Sequence, residues 1–247
     1  MRGGIAMIKR TLSAFLALAL AFFAVGGCSS GGGRGGGRVC PELNTGIEVC
    51  DPETGGPFSL VIDNGFFPVV VGSEIVLEGV DDEGTPVRVE MTVPGDTEVV
   101  AGVETRVLVE TEFEDGELIE VSRNFLAQAP DGTVCYFGED VDNFEDGELV
   151  DHEGSWRAGE NGNLPGIIMP AEPEVGMVFR QEAAPGIAED QAEVIALGEE
   201  IDVPAGMFSD TVTMEDCNPL EDDEKDLKVY VDGIGLAIDE FTELISF

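Results

Sequence analysis

From Phe67 onward, apolar and polar residues alternate along most of this chain, and turn-forming residues interrupt the alternation at short intervals. Val87, Val89, Met91 and Val93 are separated by Arg88, Glu90 and Thr92. This is the period of two that turns one face of a strand inward. Residues 73–78, 107–111, 118–126 and 134–137 read as further strands. Asp82-Glu83-Gly84, Pro94-Gly95-Asp96, Ala101-Gly102, Glu114-Asp115-Gly116 and Pro130-Asp131-Gly132 lie between them. Asp115-Gly116 is a dipeptide suited to a two-residue hairpin turn. Residues 51–66 hold turn material around a short apolar run at 58–62. Residues 187–197 (IAEDQAEVIAL) are ambiguous, because Ala and Glu favour a helix by propensity. Their place opposite residues 87–93 in the repeat described next favours a strand, which is the reading adopted.

Two internal similarities organise these strands. FEDGELIE at 113–120 recurs as FEDGELVD at 144–151, which predicts the same hairpin used twice. More widely, Val71-Gly72 and Glu78 match Val175-Gly176 and Glu182 at an offset of 104, and Val99, Ala101 and Gly102 match Val203, Ala205 and Gly206 at the same offset. Asp131-Gly132 before an apolar strand is echoed by Asp232-Gly233. A fixed offset across separate turns points to a duplicated β unit. The expectation is an all-β protein, an antiparallel barrel or sandwich of about eight to ten strands. Residues 39–247 form its single domain, with a first unit at 67–137, an inserted hairpin and loop at 138–170, and a second unit at 171–247.

The first 38 residues break the pattern. Arg2, Lys9 and Arg10 precede an apolar run, TLSAFLALALAFFAV, at residues 11–25. That run is short for a membrane span of roughly 20 residues, and with its basic flank it has the build of a secretory signal peptide. It ends in Val25-Gly26-Gly27-Cys28, which resembles the lipobox of bacterial lipoproteins. The resemblance implies cleavage of residues 1–27 and acylation of the Cys28 thiol, so that the membrane is a partner through the anchor. Two or three acyl chains suffice for stable anchoring, at about 0.8 kcal/mol per buried CH₂. By the same resemblance, Ser29 in place of Asp leans towards the outer membrane in a Gram-negative host. The stretch 29–38, SSGGGRGGGR, reads as a flexible tether that, with Cys28, precedes the domain. Ten such residues reach about 16–19 Å r.m.s..

Charge then narrows the function classes. The chain carries 51 acids against 12 Lys and Arg, a formal net charge of −39. All the acids follow Cys28. Such a surface lacks the clustered cations that nucleic-acid binding requires. The hydrophobic fraction of 43% still permits a core. Only three lysines occur, and the acidic, lysine-poor balance is read as adaptation to salt, which screens repulsion. The alternative is dedicated cation binding, with weak Ca²⁺ uptake by Asp81-Asp82-Glu83 or Asp222-Asp223-Glu224. An EF-hand is excluded, because a loop counted from Asp140 puts Phe144 at position 5 and Glu145 at position 6. With Cys28 acylated, Cys40, Cys50, Cys135 and Cys217 remain for disulfides in an oxidising compartment, with three connectivities open. Cys40–Cys50 closes the shortest loop and is the favoured pairing, leaving Cys135–Cys217.

Pro165-Gly166-Ile167-Ile168-Met169-Pro170, Phe179-Arg180-Gln181-Glu182, Ala188-Glu189-Asp190, Val203-Pro204-Ala205-Gly206-Met207-Phe208 and Gly233-Ile234-Gly235-Leu236 resemble phrases of uncharacterised β-rich bacterial envelope lipoproteins. The resemblance covers most of residues 67–247. It implies a secreted β-rich module of the cell envelope and assigns no catalytic residue.

No catalytic constellation stands out. His152, the single histidine, lies between Asp151 and Glu153 and reads as a solvated surface residue. No Gly-x-Ser-x-Gly elbow is present, and among so many acids no catalytic pair can be singled out. Tyr136, Phe137, Trp156 and Phe179 are candidates for lining a site for an apolar ligand, against the plainer reading as core aromatics. The expected function is a non-enzymatic binding or structural module, with no cofactor, acting through a protein partner or a small hydrophobic ligand. The alternative is a periplasmic or outer-membrane carrier holding a hydrophobic ligand in a β cavity.

Overall fold

A computed structural model describes residues 40–220 and 225–247. The leader, Cys28, the glycine-rich tether and the run Asp222-Asp223-Glu224 lie outside the described residues. The described residues hold seventeen strands and no α-helix. The first half contains β1 (Glu74–Val80), β2 (Pro86–Thr92), β3 (Thr97–Val100), β4 (Val103–Glu114), β5 (Glu117–Gln128), β6 (Val134–Glu145) and β7 (Glu148–Asp151). Two short strands follow, β8 (Trp156–Arg157) and β9 (Gly166–Met169). The second half contains β10 (Val178–Arg180), β11 (Gln191–Leu197), β12 (Ile201–Val203), β13 (Gly206–Phe208) and β14 (Thr211–Cys217). It ends in β15 (Lys225–Val231), β16 (Gly235–Asp239) and β17 (Thr242–Ser246).

Fifteen strands form one antiparallel sheet in the order β10-β11-β14-β15-β16-β17-β1-β2-β4-β5-β6-β7. Off that path β3 pairs with β4, and β8 and β9 pair with β6, while β12 and β13 make a separate ribbon. The all-β antiparallel expectation holds. The strand count exceeds eight to ten because short hairpins and the pieces between residues 148 and 169 also pair. The sheet curls without closing into a barrel. β9 lies on β6, and an isolated bridge joins Leu164 to Ala183 just beyond β10.

The sheet order repeats itself, six strands and then six. Ile75 faces Met91 across β1 and β2 as Phe179 faces Ala192 across β10 and β11. Gly72 N–H donates to Val93 O as Gly176 N–H donates to Val194 O, both at 2.8 Å. The match at Val71-Gly72 and Val175-Gly176 is therefore structural. The second match is one step out of register. Val100 faces Val103 over Ala101-Gly102, whereas Val203 faces Gly206 over Pro204-Ala205. The unit boundary drawn at 137/138 falls inside β6, so β6 and β7 belong with the first unit.

Local chemistry explains the hairpins. Asp115-Gly116 and Asp146-Gly147 all have positive φ, between 49° and 81°. This is the two-residue turn whose twist matches its strands, and it joins Glu114 to Glu117 and Glu145 to Glu148. The repeated FEDGEL phrase is the same hairpin twice. The ambiguous stretch 187–197 is a strand over its last seven residues, because Gln191, Ala192 and Val194 are buried against β14.

The disulfides correct the expected pairing. Cys40 bonds Cys217 and Cys50 bonds Cys135. The short-loop argument fails because tertiary contacts separate Cys40 from Cys50. Asn44 and Thr45 N–H both donate to Val178 O, at 3.1 and 3.0 Å, which fixes this segment along β10. A short 3-10 turn (Glu48–Cys50) then carries Cys50 into the core beside β6.

Gly166 marks the tightest backbone approach. It pairs with Tyr136 on β6, and an added Cβ would sit 1.9 Å from Gln181 O. Gly166→Ala is expected to lower the urea-unfolding free energy by about 1–3 kcal/mol, the usual range for overpacking. Proteolysis under non-reducing conditions, followed by mass spectrometry, should yield linked peptides for Cys40–Cys217 and Cys50–Cys135. A Cys40–Cys50 peptide would contradict this fold.

Candidate functional site: a buried carboxyl network

Tyr136, Phe137, Trp156 and Phe179 lie inside the main core, with exposures of 0%, 0%, 3% and 0%. Tyr136 meets Trp156 edge-on at 5.3 Å, and Phe58 meets Phe137 in the same way at 5.3 Å. The apolar void beside Phe67, Ile75, Met91 and Leu236 measures about 20 Å³, and the one touching Tyr136, Leu126 and Ile168 has no room for a water molecule. All four aromatics belong to the main buried cluster. An open groove of about 440 Å³ lies on the surface along β1, β2 and the β4–β5 turn. Its one cation, Arg88, is already bound by Glu90 at 2.6 Å and by Glu78.

The feature missed by sequence reading is inside. Glu110, Glu112, Glu120, Glu139, Glu182, Asp190, Asp216 and Asp239 are all buried, and so is Lys228. They occupy inward positions on β4, β5, β6, β14, β15 and β16 and in the segment between β10 and β11. The two halves place their polar groups in matching rows. On one side Leu108 faces Asn124, which faces Glu139. On the other Met214 faces Lys228, which faces Asp239. Two residues further on, Glu110 faces Ser122 and Asp216 faces Asp226. Lys228 therefore takes the place of Asn124, and Asp216 and Asp239 take those of Glu110 and Glu139.

That exchange sets the electrostatics. Lys228 Nζ lies 3.0 Å from Asp216 Oδ2 and 3.9 Å from Asp239 Oδ1. Burial opposes its charge, but Asp239 and Asp216 outweigh burial and hold the ammonium above its usual range. In the first half Tyr136 Oη donates to Asn124 Oδ1 at 2.6 Å. Both carboxyl oxygens of Glu110 lack a hydrogen-bond partner, as does Tyr230 Oη. Burial, then Asp239, pushes Glu110 up to about 8. Burial lifts Glu120 to about 7, and lifts Asp239 to about 7 against the pull of Lys228. Glu112 and Glu139 are driven well above the carboxylate range by burial and then by Glu120, and Glu182 by burial and then by Asp190. A dry interior penalises an unpaired ion heavily, so burial favours the neutral form of Glu110, Glu112, Glu120, Glu139 and Glu182.

The outer acids are engaged differently. Arg157 reaches Asp140 at 2.6 and 3.0 Å and Glu98 at 2.9 Å, and its guanidinium lies 4.6 Å from the Phe125 ring centroid. Asp142 accepts from Arg123 at 3.0 Å and lies 2.9 Å from His152 Nδ1. His152 is exposed, as expected. Asp81 Oδ1 accepts from the N–H groups of Glu83 and Thr85, and the Thr85 bond is the main cause of its lowered pKa. Among the described residues, no group of three or more His, Cys, Asp and Glu side chains is placed to hold a metal ion. Compared with known protein families, with curated proteins and with solved structures, the chain matches none.

Only hindsight finds the network in the sequence. On β4, Glu110 and Glu112 alternate with Val109 and Thr111, and the valine and threonine are the more exposed set. An alternation rule assigns the opposite faces. Lys228→Met leaves Asp216 and Asp239 buried without their cation. It is expected to cost about 3–5 kcal/mol at neutral pH in urea titrations, the range for breaking a buried pair from one side. The triple change Lys228→Met, Asp216→Asn, Asp239→Asn should recover most of that loss.

Proposed function

We propose that this chain is a lipid-anchored protein of the cell envelope that acts as a non-enzymatic binding or structural module. Cys28 carries the anchor, residues 29–38 form the leash, and the β domain is the displayed part. The observation that supports this reading best is the Cys40–Cys217 disulfide. Cys40 follows Cys28 by only twelve positions. A pull on the leash passes at once into β14, a strand paired on both sides. Cys50–Cys135 adds a second fixing point on β6. Both disulfides suit an oxidising compartment outside the cytoplasm. The protein partner is met by the acidic exterior, and the outer membrane is the favoured site in a Gram-negative host. The carrier alternative draws no support from the voids beside the core aromatics, because small-ligand sites occupy about 300–1,000 Å³.

Growth of an expressing bacterial strain with a clickable fatty acid tests the anchor. The wild-type chain should take up the label and sediment with membranes. Cys28→Ser should lose the label and appear in the soluble fraction at unchanged thermal stability. A labelled Cys28→Ser protein, or an unlabelled wild type, would remove the anchor and with it the display reading.

A further inference from the structure

The two halves of the sheet share one inward pattern but neutralise it differently. In the second half, Lys228 stands between Asp216 and Asp239. In the first half, the matching position is Asn124, which carries no charge, and Glu110 keeps two oxygens without partners. We propose that the first half is a proton-operated lock: β4, β5 and β6 are held closed while Glu110, Glu112, Glu120 and Glu139 are protonated, and they loosen as these groups ionise, whereas Lys228 keeps β14 and β15 closed. The proposal is independent of the lipid anchor.

The groups facing the lock come from every packed element. After burial, Asp239 of β16 and Glu120 of β5 raise Glu110 on β4 and Lys228 of β15 lowers it. Glu112 is raised, after burial, by Glu120, Glu110, Glu114 and Asp239. After burial, Glu139 on β6 is raised by Glu120, Glu110 and Asp190 and lowered by Tyr136. Glu182, just beyond β10, is raised after burial by Asp190 and Glu139 and lowered by Lys228. After burial, Tyr230 on β15 is lowered by Lys228 and raised by Asp216, Asp239 and Glu110. Lys228 is the cation among them, and its short contact is to Asp216 on β14. One ammonium cannot neutralise the acids of both halves, so ionising the first half places like charges together in a dry interior.

The direction follows from linkage. These carboxyls hold their protons to higher pH in the folded state than in the unfolded chain. The folded state therefore binds more protons between the unfolded carboxyl range and about 8, the value reached by Glu110. The stability that Glu120 and Glu110 contribute is fully present below about pH 4.5 and is lost as pH rises through about 7 and about 8 respectively. Repulsion among surface acids has the same sign, but salt screens it and it is spread over both halves.

Hydrogen–deuterium exchange of the full chain, at about pH 5.5 and about pH 8.5 with times scaled for intrinsic exchange, separates the two causes. Peptides from β4 to β6 should lose protection roughly tenfold or more on going to the higher pH, and peptides from β14 and β15 less than about threefold. Adding about 2 M salt should leave the difference in place. Asn124→Lys, which restores the missing cation, should shrink the first-half loss, as should Glu110→Gln with Glu139→Gln. If those variants do not fold, the wild type still decides. Its infrared spectrum should keep the carbonyl band of neutral carboxyl groups at about pH 6.5, where solvated acids are ionised. Equal loss in both halves, recovery in salt, or no neutral carboxyl band would each overturn the lock.

Discussion

A carboxyl group in a dry interior has to be paired with a cation, held as an ion by several hydrogen bonds, or protonated. Among the described residues, eight such groups are buried with one lysine. The inward faces of β4, β5, β6, β14, β15 and β16 all carry members of the set, so packing and protonation cannot be treated separately. The ion pair of Lys228 and Asp216 fixes one side of the interior. On the other, Tyr136 bonds Asn124 among buried acids whose neutral form burial favours. An apolar core of the same shape would add no titrating group to the interior. This one ties its closure to the protonation of particular strands.

Around that interior, one six-strand order is laid down twice. In the second copy β17 goes on to pair with β1, which joins the halves. In the first copy the matching strand, β7, ends the sheet. β8 and β9 occupy the other stretches of β6, and β9 approaches the segment after β10 instead. Gly166 permits that approach, because any side chain there meets the Gln181 backbone. The residues between β7 and β10 thus take up the place where a repeat of the β17–β1 pairing would fall. The disulfides add a constraint from the opposite direction, clamping the N-terminal segment to β14 and to β6.

Much of the architecture was legible in short-range chemistry. Asp-Gly with both residues at positive φ gave two hairpins their turns, and period-two alternation located β2. The Val-Gly match at 71 and 175 marked equivalent strand starts, since the same backbone hydrogen bond closes each. The second match is displaced by one residue because Ala101-Gly102 forms one turn and Pro204-Ala205 the other. The candidate site was much less legible. The four candidate aromatics are all buried in the main core. The acids that matter were lost among 51, because charge count carries no information on which face a strand turns inward.

β4 shows the division most clearly. Its residues buried near the start are Val103, Thr105 and Val107, and those buried later are Leu108, Glu110 and Glu112, of the opposite parity. The sequence by itself determined that this stretch is a strand, where it turns, and that it has a counterpart later in the chain. These depend on neighbours a few residues away. The tertiary structure alone decided which parity faces the core, which acids lose water, and which cysteines meet. Those outcomes depend on groups that lie far apart in the chain and come together only when the sheet curls.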